Sequence, residues 1–216
     1  MTAFSPDGYR RLLEAIREGG YRLRGFDVAQ PLEQMLLLRH DVDMSLEDAV
    51  AMAEIEAEFD VRATYLLMTR SIFYNLASPA GLDATARLRE LGHWVGHHAL
   101  HPHAEPTIDP GFDRVMAWHN PDPAYMADAV PGWVNVMEPR FTGDFAWTYR
   151  SDSNQTWRRG DPVDELAAGR FPWLQLLIHP VLWMGGVEGM QSVVDRFLDR
   201  DREARLGHLR EDHLDL

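Results

Sequence analysis

Short apolar runs that break off in polar groups constrain this chain more than any other feature. Gln34-Met35-Leu36-Leu37-Leu38-Arg39 stops at His40-Asp41-Val42-Asp43, Trp94-Val95 enters a histidine cluster, and Trp173-Leu174-Gln175-Leu176-Leu177-Ile178 stops at His179-Pro180. These runs do not alternate, which predicts strands buried on both faces, as in a parallel sheet. Ala63 to Met68 and Phe145 to Tyr149 read as two further strands. Helical patterns fall between them. Asp7 can cap a first helix whose apolar positions are Tyr9, Leu12, Leu13 and Ile16, and Gly19-Gly20 ends it. Ser45 with Asp48 resembles a capping box opening a helix to Phe59, and Asp83 can cap another ending near Leu91-Gly92. A helix over Gly111–His119 is expected within the proline-rich stretch 102–140, and an amphipathic helix over Val187–Leu209. Strand and helix alternating in this way predict one α/β domain over residues 1–216, a small and irregular β/α barrel.

With 216 residues the chain can bury one sizeable core. It carries 21 Lys and Arg against 34 Asp and Glu, a formal charge of −13. That charge disfavours nucleic acid and anionic membrane surfaces as partners. There is no cysteine, so thiol nucleophiles and cysteine metal sites are excluded. The first twenty residues contain no uncharged apolar segment, and no apolar run approaches 18 residues. No membrane span and a cytoplasmic location are therefore expected.

In an α/β barrel, active-site groups collect at the C-terminal ends of the strands. Asp41 and Asp43 are two residues apart and point the same way if the backbone is still extended. Beside a metal, one such carboxylate can bind the ion while the other takes a proton. Alternatively, Asp43 only helps cap the following helix. Residues 93–103 hold five of the ten histidines, His93, His97, His98, His101 and His103. Imidazole suits zinc, iron or nickel, and the spacing allows His97 with His101, His98 with His101, or His101 with His103. Histidines confined to the surface or behind a site are the plainer reading. His179, among apolar neighbours, can be a proton donor or a structural histidine. Tyr74, Asn75, Arg150 and Asp152 also follow strands and are candidate substrate contacts, with Asp152 able to orient a histidine.

Leu36 to Asp43, Gly92 to Gly96 with the histidines after it, and Trp173 to His179 together resemble three motifs of the polysaccharide deacetylase (NodB-like) superfamily, in that family's order. They are more narrowly similar to a branch found among bacterial surface-polysaccharide genes. The resemblance implies a distorted (β/α)7 barrel and a divalent metal, usually zinc. It implies hydrolysis of an N- or O-linked acetyl group on a carbohydrate or its precursor. By motif, Asp41 is the catalytic base, Asp43 the metal aspartate, His98 or His97 the first metal histidine, His101 the second, and His179 the general acid. The family's aspartates are adjacent, whereas Val42 separates them here. A non-catalytic carbohydrate-binding protein, or a hydrolase of non-sugar amides, is the rival expectation.

Overall fold

Side-chain caps set where the first helices begin. In the computed structural model, which describes residues 3–27, 34–103, 111–143 and 147–211, α1 spans Pro6–Glu18 and its N-cap is Ser5, whose Oγ accepts the Gly8 N–H at 3.1 Å. Asp7, expected as the cap, lies instead in the first turn, where its charge favours the helix N-terminus. Strands β1 (Arg22–Leu23) and β2 (Met35–Val42) follow. Helix α2 (Leu46–Glu58) opens on Ser45, which accepts the Asp48 N–H at 3.0 Å. After β3 (Thr64–Leu67), α3 (Pro79–Glu90) starts on Ser78 and Pro79, ahead of the expected cap Asp83.

The rest of the chain comprises β4 (Trp94–Ala99), β5 (Val115–Trp118), β6 (Val134–Asn135), α4 (Pro139–Thr142), β7 (Trp147–Ser151), a 3-10 turn (Ser153–Gln155), α5 (Val163–Ala167), β8 (Trp173–Ile178), α6 (Pro180–Trp183) and α7 (Met190–Glu211). The strand expected at Trp94-Val95 thus continues through both His97 and His98. The helix expected over 111–119 contains a strand instead. Its apolar core, Val115 to Trp118, is too short to show a period. Pairing with β4, Met116 opposite His97 and Trp118 opposite Ala99, decides its form. Of the strand expected over 145–149, Phe145 and Ala146 lie outside the described residues.

Seven strands form one continuous sheet in the order β6-β5-β4-β3-β2-β8-β7, every neighbour parallel, with β1 paired to the start of β2. The sheet curls into an open half-barrel flanked by helices, the distorted (β/α)7 architecture expected. No helix among the described residues is long and apolar enough to cross a membrane.

The two-residue period of the strands sorts side chains between two clusters. Leu36, Leu38 and Val42 of β2, Tyr65 and Leu67 of β3, and Val95 and Ala99 of β4 join the cluster under the helices. Met35 and Leu37 of β2, Leu66 of β3, and Val115 and Ala117 of β5 join the cluster within the curl. The register carries this parity from strand to strand: Asp41 pairs with Leu66, Leu66 with Gly96, and His98 with Ala117. Gly96 lets β4 and β5 close up, because a Cβ there would lie 2.3 Å from the Val115 carbonyl oxygen.

On the helix side a buried carboxylate ties four elements together. Glu56 of α2 accepts from Tyr9 Oη of α1 at 2.5 Å and Tyr65 Oη of β3 at 2.6 Å, and its Oε1 lies 2.7 Å from His40 Nε2 of β2. Burial alone would raise its pKa, but His40, His93 and Tyr65 together hold it below the ordinary 4.5. A carboxylate depressed in this way stabilises the fold above its unfolded pKa and loses that contribution as the pH falls through the folded value. Glu56→Ala should therefore cost about 3–5 kcal/mol in urea unfolding at neutral pH. It should also flatten the loss of stability that the depressed carboxylate predicts below pH 4.5. An unchanged unfolding midpoint would remove Glu56 from this role.

Candidate metal centre

One carboxylate and two imidazoles converge where the strands end. Asp43 follows β2, His98 is in β4 and His119 follows β5. Asp43 Oδ1 lies 3.2 Å from both His98 Nε2 and His119 Nδ1, and the two nitrogens are 3.2 Å apart. Ligands at zinc distances of 2.0–2.1 Å stand roughly 3.3 Å apart in a tetrahedron, so this triangle has the size that one ion requires. Asp43 Oδ1 is buried and has no hydrogen bond among the described residues, as expected of a ligand atom. His119 Nε2 is 3.1 Å from the Asn120 side-chain amide, whose oxygen, with the amide turned over, accepts the Nε2 proton of a ring that ligates through Nδ1. This Asp/His/His cluster could coordinate a divalent metal and supports a metal-dependent hydrolytic site.

Strand parity separates the two adjacent histidines of β4. His98 shares the inner face with Gly96 and lines the cleft. His97 faces the other way and is buried against Phe112 and Trp133, with ring centroids 6.3 and 5.8 Å apart. Burial in that apolar setting lowers its pKa to about 4. His101 lies beyond the strand, exposed, with its ring stacked on Tyr125 at 3.7 Å. Neither His97 nor His101 belongs to the converging cluster. His119 takes the place expected of the second histidine. The sequence reading missed it by treating residues 111–119 as a helix, although it follows an apolar strand much as His179 does.

Two further groups flank the cluster. Asp41 is buried and held by both sides of the Arg39 guanidinium, Nε to Oδ1 at 2.7 Å and Nη2 to Oδ2 at 2.5 Å. Its Oδ2 is 3.7 Å from His98 Nε2. Burial opposes its charge, but Arg39 and His98 outweigh that and keep its pKa below the ordinary carboxylate range. Arg39, the last residue of the apolar run in the sequence, is thus a buried counterion. On the opposite side, His179 Nδ1 lies 2.6 Å from Asp152 Oδ1, and Nε2 faces Asp43 Oδ2 at 3.9 Å. Burial disfavours its charge, yet the Asp152 carboxylate pushes its pKa up to about 9. Asp152, a candidate substrate contact in the sequence, lies behind the imidazole and holds it. Its other oxygen accepts the His179 backbone N–H and Trp183 Nε1, at 3.0 and 2.7 Å.

The remaining candidates are placed elsewhere. Tyr74 Oη donates to the Val42 carbonyl at 2.6 Å and accepts the Met68 N–H at 2.7 Å, latching the loops after β2 and β3. Asn75 Oδ1 accepts the Ala77 N–H just before α3. Neither is among the described residues lining the cleft. Arg150 lies over the Phe171 ring and 3.5 Å from Glu165, in a neighbouring depression.

The triangle predicts which substitutions remove a metal. His119→Ala and Asp43→Ala should abolish binding of one zinc or cobalt ion per chain in elemental analysis, while His97→Phe and His101→Ala should retain it. Retention by His119→Ala with loss in His101→Ala would overturn the ligand set. The close Asp43 carboxylate raises the pKa of His119 above its ordinary 6.5. Protons therefore compete with the metal, and occupancy should fall as the pH drops toward 6. No family model, curated protein or solved structure matches this chain, so its function has to be argued from this geometry.

Proposed function

We propose that the chain is a metal-dependent deacetylase acting on an acetylated carbohydrate or carbohydrate precursor. The observation that carries this reading is the placement of two differently tuned proton carriers beside one metal cluster. Asp41 is fixed by Arg39 on one side and His179 by Asp152 on the other. A divalent ion held by Asp43, His98 and His119 would lower the pKa of water and polarise an acyl oxygen.

The side chains divide the remaining work. Asp41, ionised at rest, accepts a proton from the attacking water at Oδ2, the oxygen nearer the cluster. Its buried partner Arg39 keeps the carboxylate from turning away. His179 presents Nε2 to the cluster and hands a proton to the departing nitrogen or oxygen. Asp152 fixes the tautomer by holding Nδ1. The cleft has a volume of about 550 Å³, and Trp118, Met126, Met137 and Tyr149 supply apolar and aromatic walls. Aromatic faces beside a polar centre suit sugar rings. Similarity of the strand-end motifs to polysaccharide deacetylases points the same way and supplies the acetyl group as the expected leaving acyl.

The test is acetate release from a panel of N- and O-acetylated sugars by zinc- or cobalt-loaded protein. Asp41→Asn should lower kcat by about 10²–10⁴ while keeping the metal, and His179→Gln should do the same most severely for amide substrates, whose leaving group needs the proton. Full activity in Asp41→Asn would displace Asp41 as the base. Metal-loaded protein that releases no acetate from any member would overturn the deacetylase reading.

A further inference from the structure

Arg158 and Arg159 stand at the lip of the cleft, in a chain with a formal charge of −13. Both are exposed, and among the described residues neither guanidinium has a hydrogen-bond or ion-pair partner. Most other arginines do have one: Arg39 holds Asp41, Arg150 approaches Glu165, and Arg196 and Arg200 hold Asp48. Two adjacent cations left uncompensated on an acidic protein, at the mouth of its candidate site, call for an anionic ligand.

The local shape supports this. The pair borders two adjoining hollows, the cleft itself and a second of about 250 Å³ that includes Arg150, with Tyr149 and Ser153 common to both. The loop that carries the arginines is anchored on both sides. Asp152 opens it beneath His179. Gln155 Nε2 donates to the Leu182 and Val187 carbonyls at 3.0 and 2.7 Å, and Gln155 Oε1 accepts the Gly189 N–H at 2.7 Å. Trp157, just before the pair, is buried against Phe4 and Trp183. Asn154 and Gln155 both have left-handed backbones, φ 58° and 51°. Such conformations are disfavoured for side-chain-bearing residues and persist only where the surroundings enforce them. The anchors enforce them here and hold the following segment at the lip.

We propose that Arg158 and Arg159 bind an anionic group, a carboxylate or a phosphate, on the unit of the substrate next to the one being deacylated. The guanidinium fork fits the paired oxygens of either group. The inference rests on the deacetylase reading only in placing the acyl group at the metal cluster. On this basis the substrate class is an acidic glycan or a phosphate-linked sugar rather than a neutral one.

Isothermal titration of metal-loaded protein with glucuronate, glucose 1-phosphate and neutral glucose tests this at low salt. One or both charged sugars should bind roughly tenfold or more tightly than glucose, with that preference weakening as salt is raised. The ligand preferred identifies the anion as carboxylate or phosphate. The double substitution Arg158→Gln with Arg159→Gln should abolish the preference, and Lys at both positions should restore part of it. Arg202→Gln, on the exposed face of α7, should leave it intact and controls for net charge. Thermal melting and metal content show whether each variant is folded. Equal binding of charged and neutral sugars, no binding of either charged sugar, or a preference that survives the double Gln substitution would each overturn the proposal. Acetate release separates the two readings. Release without charge preference refutes the anion site alone, whereas arginine-dependent anion binding without release from any substrate refutes the deacetylase alone.

Discussion

Strand β2 is fixed by charge on both of its faces, and the remainder of the site follows from that. Arg39 and Asp41 point into the curl and neutralise each other. His40, between them in sequence, points to the helices and meets Glu56. A one-residue slip of β2 would exchange the two faces. It would drive a guanidinium and a carboxylate in among Tyr9, Met52 and Tyr65 on the helix side, and set His40 in the cleft. Unpaired buried charge costs several kcal/mol per group, far more than a shifted apolar contact. Register is therefore set by electrostatics as well as by hydrophobic burial, and the position of Asp43 is set with it.

Around the cluster, three side chains are held from behind, whereas His98 Nδ1 has no hydrogen-bond partner among the described residues. Arg39 lies behind Asp41, Asn120 behind His119 and Asp152 behind His179. Such groups need little reorganisation when charge develops in front of them. The same arrangement explains the opposite responses of Asp41 and His179 to similar burial. Burial penalises charge in both, but each has a counterion that overrides it, so one remains an anion and the other remains a cation. A carboxylate and an imidazole of opposite charge preference are thereby kept in one cleft.

Much of this was legible in the sequence wherever one residue's chemistry decides the outcome. The unalternating runs gave the parallel strands, Ser45 with Asp48 gave the start of α2, and the Asp41–Asp43 spacing placed both carboxylates on one side of an extended chain. The histidines were less legible because adjacent residues of a strand face opposite ways. Without the register of β4 against β3 and β5, nothing distinguishes His97 from His98. His119 was missed for a related reason, since four apolar residues show no period and only pairing with β4 makes them a strand. Tyr74 was misread because a tyrosine after a strand looks the same whether its hydroxyl faces substrate or, as here, the backbone of neighbouring loops. Arg158 and Arg159 look like ordinary surface charge until the fold brings them beside the cleft.

Asp152 links the two halves of the site. Buried completely, it uses one oxygen to hold the His179 imidazole and the other to accept the His179 backbone and the Trp183 indole. It also begins the anchored segment that ends in the paired arginines. The His179 imidazole and the lip of the cleft are therefore fixed to the same point on β8 and α6, rather than to separate loops. An acidic protein would otherwise repel an acidic substrate over most of its surface. In the proposed reading, the unpaired Arg158 and Arg159 sit on the element that also holds His179, and this draws an anionic unit to the side of the cleft where the imidazole stands.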